Sequence, residues 1–271
     1  MKLMNNDDIK KVSLEILSDV HDFCVANNLH YSLAYGTLIG AVRHKGFIPW
    51  DDDIDIIMPR KDYERFFKLY KSDRFQVSCP SLNNSYLFFG RVYDTKTYVK
   101  AWRPQTTLQN TGVWIDVFPI DYVPNELGAF ENEVSKISSL YKISHYKRMA
   151  LQSFCEVGFR HVKTILKLLA DKIKTNSIDL LKTVAEADEI AKTNINNSDF
   201  MGAITCHVYS HKEHIPSHVF SEFIDVPFEG KLYKSVKDYD VLLSNYYGNY
   251  MQLPPIEKRV FPHSAHKFYW K

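Results

Sequence analysis

"FIPWDDDIDIIMPR", residues Phe47 to Arg60, sets four carboxylates in five positions and then runs directly into Ile56, Ile57 and Met58. Apolar residues of that kind seek a core, whereas clustered acids repel one another and resist leaving water. An extended segment resolves the conflict, because its successive side chains point to opposite faces: Asp53 and Asp55 share one face while Ile54 and Ile56 enter the core on the other. Two carboxylates held side by side at the edge of a core raise each other's pKa unless a cation compensates. A hard divalent ion with oxygen ligands, Mg2+ or Mn2+, is the natural partner. The plainer alternative is a solvated acidic turn, but Trp50 before the acids and Ile56-Ile57-Met58 after them anchor the segment. A calcium loop of the EF-hand type would use Asp51, Asp53 and Asp55 as its first ligands, yet its required glycine is here Ile56 and its closing Glu is Asp62.

A third acid lies in "VWIDVFPID", where strand alternation puts Val113, Ile115 and Val117 on one face and leaves Asp116 with Trp114 and Phe118 on the other. Such an acid is either hydrogen-bonded in place, a further metal ligand or a proton acceptor. Upstream, "LAYGTLIGAVRHKG" reads as a short strand to Tyr35, a Gly36-Thr37 turn and a short helix from Leu38 to Arg43. Glycine permits close backbone approach, and Arg43, His44 and Lys45 can neutralise a phosphate near the helix start.

The remaining pattern is mixed. Ile9, Val12, Ile16, Leu17, Val20, Phe23 and Cys24 recur at helical spacing, closed by Asn27-Asn28, and Lys61 to Tyr70 is a second helix. Strands are expected at Ile54–Met58, Phe75–Cys79, Tyr86–Tyr93 and Val113–Phe118. Residues 125–200 are mainly helix-forming, and residues 201–271 read as loop-rich and aromatic. The expected division is a catalytic core at 1–124, a helical region at 125–200 and a C-terminal segment at 201–271 that completes the catalytic domain.

The 271 residues are 45% hydrophobic and 14% aromatic, ample for a packed core, and 34 basic against 32 acidic residues leave a net charge of +2. That balance gives no reason to expect nucleic acid as a partner. No apolar signal segment or membrane span is evident, so a cytoplasmic protein is expected. Cys24, Cys79, Cys155 and Cys206 show no Cys-x-x-Cys spacing and are expected as reduced, buried thiols. "FRHVKTILKLLADKIK", Phe159 to Lys174, is a basic amphipathic helix suited either to a core or to an anionic membrane surface. Cys206, His207, His211, His214 and His218 have spacings that zinc can use, although Pro216 interrupts any single helix carrying them.

Three blocks, "YGTLIGAVRHKGFIPWDDDIDIIMPRKDYERF", "WIDVFPID" and "VPFEGKLYKSVKDYDVLLSNYYGNYMQLPP", closely resemble the LicD family of phosphocholine transferases, to which the fukutin-type proteins are related. The resemblance implies a nucleotidyltransferase-like α/β (α+β) core, a mixed sheet flanked by helices with added helical and loop-rich segments. It places Gly36-Thr37 at the glycine turn, Asp53 and Asp55 at the paired acids and Asp116 at the third. These three are the expected catalytic and metal-binding residues, with Asp51 and Asp52 as outer, loop-ordering acids. The donor implied is CDP-choline and the acceptor a cell-surface glycan precursor of teichoic acid, lipopolysaccharide or capsule type, reached at the inner face of the membrane if it is lipid-linked.

Arg43, His44 and Arg91 are the expected phosphate contacts. Choline has no hydrogen to donate, so aromatic faces are expected to select it, with Trp50, Trp102, Trp114 and Tyr93 as candidates. Alternatives are a polyol-phosphate transferase using CDP-ribitol or CDP-glycerol, an Asp-x-Asp glycosyltransferase, and a non-catalytic metal- or glycan-binding module.

Overall fold

A computed structural model describes residues 1–100, 111–148, 162–194, 198–259 and 266–271. The first half runs β1 (Lys2–Leu3), α1 (Asn6–Ala26), β2 (Ser32–Leu33), α2 (Tyr35–Ile39), β3 (Asp55–Pro59), α3 (Arg60–Leu69), β4 (Phe75–Ser78), β5 (Gly90–Asp94), β6 (Thr97–Lys100) and β7 (Trp114–Val123). There follow α4 (Leu127–Arg148), α5 (Val162–Thr175), α6 (Leu180–Ala191), β8 (Phe200–Gly202) and β9 (Ile215–Pro216). The chain ends with β10 (Phe223–Phe228), β11 (Lys231–Val236), α7 (Tyr239–Tyr247) and β12 (Lys267–Trp270).

The central sheet has the order β2-β3-β7-β5-β4, with β8 on the end of β7 and β9 on β8. Only the β3–β7 pairing within it is parallel. This is the mixed α/β sheet expected from the sequence.

Local chemistry sets the boundaries. Asn5 and Asp8 form a reciprocal cap, Asn5 Oδ1 accepting from the Asp8 N–H at 2.8 Å and Asp8 Oδ2 from the Asn5 N–H at 3.1 Å, so α1 starts two residues before Asp8. Its apolar stripe, Ile9 to Cys24, is buried, and Asn28 at φ +51° turns the chain away after it. Phe67 of α3 lies where a Cβ on Gly90 would sit, 2.1 Å from that position, so α3 covers the sheet face opposite Asp116.

Two expectations are corrected. Gly36-Thr37 is not a turn ahead of a helix but lies inside α2, because Ala34 N–H donates to Asp55 O and ties the helix start directly to β3; a five-residue π turn, Gly40–His44, follows. The C-terminal third is more regular than a loop-rich reading allows: β10 and β11 pair in register, and β12 pairs with both β1 and β6. The partners of β12 lie in the first half of the chain, which local pattern does not reveal, whereas the β10–β11 hairpin turns at Glu229-Gly230, a local signal that the loop-rich reading overlooks. In the middle of the chain α4, α5 and α6 span 127–148, 162–175 and 180–191; Phe159, Trp102 and Cys155 lie outside the described residues. No described helix is long and apolar enough to cross a membrane. Cys24, Cys79 and Cys206 are free and buried.

A smaller core of Phe88, Val123, Phe130, Ile137, Val184, Ala187, Ala191 and Ile204 joins α4 and α6 to the end of the sheet. Arg60 crosses this seam, donating to both carboxylate oxygens of Asp121 at 2.6 Å and to Asp188 at 2.8 Å. Both acids are nearly inaccessible. Removing the guanidinium leaves the buried Asp121 without its charge partner, while Asp188 keeps Lys192 Nζ at 2.6 Å, so Arg60→Ala is expected to cost about 3 kcal/mol in chemical denaturation; a loss below about 1 kcal/mol would show that the network does not hold the seam.

Candidate active site

The acids are gathered by a turn, a helix and two strands. Asp51 N–H closes a turn onto Ile48 O at 2.9 Å, with Pro49 inside it. The Asp51 carboxylate then packs against Gly36, where a Cβ would lie 2.6 Å from Oδ2; any side chain there would push the acid away. Ligand oxygens of Asp51, Asp52 and Asp53 lie within 4.8 Å of one another. Thr37 Oγ1 accepts from the Asp55 N–H at 2.9 Å, which fixes the first residue of β3 against α2.

From there the sheet decides. Parallel register sets Asp55 beside Asp116, whose N–H donates to Ile54 O at 3.0 Å. On the other side of β7, Arg91 stands opposite Asp116 and donates to its two oxygens at 2.5 and 3.3 Å. The guanidinium also lies 4.1 Å from the centre of the Trp114 ring. Asp55 stands beside Asp116 in the sheet, whereas the acids whose ligand oxygens converge among the described residues are Asp51, Asp52 and Asp53, so the two acids that the sequence reading treated as outer and loop-ordering are immediate neighbours of Asp53.

Burial first and mutual repulsion second raise the pKa of these acids. Burial first, then the charge of Asp53, pushes the Asp51 carboxyl up to about 8, and the two side chains share a hydrogen bond. Asp53 is raised to about 6 by burial, with Asp116 and Asp52 adding to the rise while the bond from Asp51 opposes it. Asp55 is raised well above the carboxylate range, first by burial and then by Asp53, Asp116 and Asp51. An all-oxygen donor set in which carboxylates must share protons fits a hard divalent cation such as Mg2+ or Mn2+.

Other expected site residues are engaged elsewhere. Arg43 donates to Tyr250 O at 2.6 Å and to His44 Nε2 at 2.9 Å, tying the π turn to the C-terminal segment. Trp50 carries the Arg259 guanidinium 5.1 Å over its ring and His44 at its edge. His207 stacks on Tyr141, and His214 stacks on Phe200 and bonds to Pro124 O. Among the described residues the Cys206–His218 group does not converge as a metal site.

Sequence reasoning missed Glu213. Fully buried, it accepts hydrogen bonds from Tyr35 Oη at 3.1 Å, Tyr246 Oη at 2.8 Å and Ala203 N–H at 2.8 Å. Tyr35 begins α2 at φ +45°, an unfavourable conformation for a tyrosine that this bond helps to hold. A lone Glu between His211 and His214 carried no periodic signal of such a role.

Burial pushes the Glu213 carboxyl up to about 7, against the three hydrogen bonds. Its folded pKa thus exceeds the unfolded value, so the folded state holds the extra proton and this group's contribution to stability falls as pH rises from about 4.3 to about 7. Glu213→Gln is expected to remove that fall, on the order of 3 kcal/mol. Melting at pH 5 and pH 8 checks this: equal pH losses in both proteins would mean Glu213 is already ionised at pH 5.

The family model described as "LicD/FKTN/FKRP, nucleotidyltransferase domain" matches residues 28–163. That span holds the acids, Thr37 and Arg91. The chain is 29% identical over 99% of its length, and 99% of the relative's, to the lipopolysaccharide cholinephosphotransferase LicD of Haemophilus influenzae. Shorter matches, 45% and 46% identical over 21% and 20% of this chain and 19% and 20% of theirs, connect it to uncharacterized proteins of Rickettsia typhi and Rickettsia prowazekii. With its domain match covering half the chain and enclosing the whole acid cluster, the protein belongs to the LicD family.

Proposed function

We propose that this protein is a phosphotransferase that moves phosphocholine from CDP-choline to a hydroxyl of a cell-surface glycan precursor, releasing CMP. The observation that carries this reading is the end-to-end similarity to a lipopolysaccharide cholinephosphotransferase, with the acid-lined sheet face inside the matched region. The acceptor oxygen forms a bond to the phosphorus bearing choline as the bond from that phosphorus to the CMP oxygen breaks. The hydroxyl proton passes to a carboxylate, and CMP leaves with the electron pair of the broken bond.

Asp53, Asp55 and Asp116, with Asp51 beside them, would hold Mg2+ or Mn2+, which when bound neutralises charge on the donor phosphates. Arg91 orients Asp116 from across the strand, and Asp116 is the acid assigned to take the hydroxyl proton. Thr37 and Gly36 set the distance between α2 and the acids. Because Arg43 and Arg91 already have protein partners, cation-held phosphate is favoured over direct arginine contact.

The acceptor is lipid-linked in this proposal, and the exposed Ile173 between Lys172 and Lys174 of α5 suits contact with an anionic bilayer surface. Co-sedimentation with anionic but not neutral vesicles supports that contact; no binding to either sinks it.

Incubation with CDP-choline, CDP-ribitol, CDP-glycerol and UDP-sugars, each with Mg2+ and candidate glycans, tests the activity. CMP release from CDP-choline is expected, abolished by EDTA and restored by Mg2+ or Mn2+. Asp53→Asn and Asp55→Asn are each expected to lower turnover at least about 100-fold while the cation-free melting temperature does not fall, since each relieves like-charge repulsion. Near wild-type turnover in either variant would overturn the cation assignment.

A further inference from the structure

The phosphate and ammonium of phosphocholine are joined by a two-carbon link. A pocket for the cation must therefore adjoin the acids that face the phosphates. Of the four aromatic candidates read from the sequence, Trp50 and Trp114 already carry arginine guanidinium groups on their rings, Tyr93 donates its hydroxyl to Gln76 Oε1 at 3.1 Å, and Trp102 lies outside the described residues.

A different aromatic wall stands on the acid side of the sheet. Alternation along β7 places Phe118 on the same face as Asp116, and Tyr35, next to Gly36, meets Phe118 edge-on at 5.4 Å. Tyr209 stacks on Tyr35 at 5.1 Å, and Tyr247 meets Tyr209 at 71° with ring centres 5.7 Å apart. Tyr35 and Tyr246 are almost fully buried and hydrogen-bonded to Glu213, so they form a fixed backing, whereas Tyr209 and Tyr247 are half-buried. Two half-open rings at a steep angle form a corner, the shape that a tetrahedral trimethylammonium group fills best. The acids lie close enough for the Asp55 charge to act on both phenols and for Asp51 to act on Tyr209.

We propose that Tyr209 and Tyr247 receive the trimethylammonium group of the donor and so select choline over neutral polyols. The proposal rests on the phosphocholine transfer reading above. Tyr209 packs on Tyr35 and Tyr246, and Tyr247 packs on Tyr246, so the angle of the corner is set by ring packing that a Tyr→Phe change preserves. Neither residue need touch the reacting phosphorus; their role is specificity.

The test compares CDP-choline with its uncharged isostere, in which a 3,3-dimethylbutyl group replaces choline, in the wild type, Tyr209→Leu, Tyr247→Leu and the two Tyr→Phe variants. Wild type is expected to prefer CDP-choline by about tenfold in kcat/KM, the range supplied by cation–π contact. Each Leu variant should cut that ratio to about two or less, each Phe variant should keep it, and inhibition by CMP should stay within about twofold throughout.

A ratio unchanged in the Leu variants would place the cation elsewhere and overturn the proposal. Equal losses for both donors, with weakened CMP inhibition, would show a structural role and overturn it too. Wild type that releases CMP from CDP-glycerol or CDP-ribitol but not CDP-choline would instead overturn the phosphocholine reading itself, and the choline corner with it. That last failure appears in the wild type alone, before any variant is measured.

Discussion

The structure depends on one strand pairing. β3 and β7 run parallel, with the Asp116 N–H bonded to Ile54 O, and this register sets Asp55 directly beside Asp116. A shift of one residue would turn Asp116 into the apolar side of the sheet and bring Val117 or Ile115 to the site. The alternation that buries Ile56 and Met58 is therefore the same constraint that gathers the acids. Because apolar burial is broad and non-directional, it can hold the backbone firmly enough to oppose a local repulsion that no acid cluster would sustain alone.

Around that pairing, several features favour function at local cost. Carboxyls of Asp51, Asp53 and Asp55 are all raised, chiefly by burial. Tyr35 holds a left-handed backbone conformation. Such costs concentrate where a site must be ready for a ligand, and the surrounding contacts over-determine each one: Thr37 against Asp55, Gly36 against Asp51, Glu213 behind Tyr35. The C-terminal segment takes part in this support. Glu213, Tyr209 and Tyr246 back the start of α2, and Tyr250 O receives Arg43, so the last third of the chain braces a site whose acids lie in the first half.

What could be read from the chain followed from period and residue type. The Ile-flanked acids predicted a strand edge, "VWIDVFPID" predicted its neighbour, and the spacing from Ile9 to Cys24 predicted α1. All three signals are local, carried within a few residues by the alternation of a strand or the repeat of a helix. The less legible features depended on distant partners. Asp51 enters the acid group because Gly36 leaves room for it, and neither residue alone indicates that contact. The start of α2 at Tyr35 is set by a bond to β3, which outweighs the turn preference of Gly36-Thr37.

The sequence by itself determined the chemistry available: clustered oxygen donors, an apolar strand to carry them, and family blocks long enough to indicate phosphocholine transfer. Only the tertiary structure decided which groups meet. Arg91 answers Asp116, the Trp50 and Trp114 faces are taken by arginines, and Tyr209 and Tyr247, from the last third of the chain, meet at a steep angle. The physical reason is range: periodicity reports which face a side chain takes on its own element, whereas charge pairing and ring packing act between elements whose proximity only the completed fold creates.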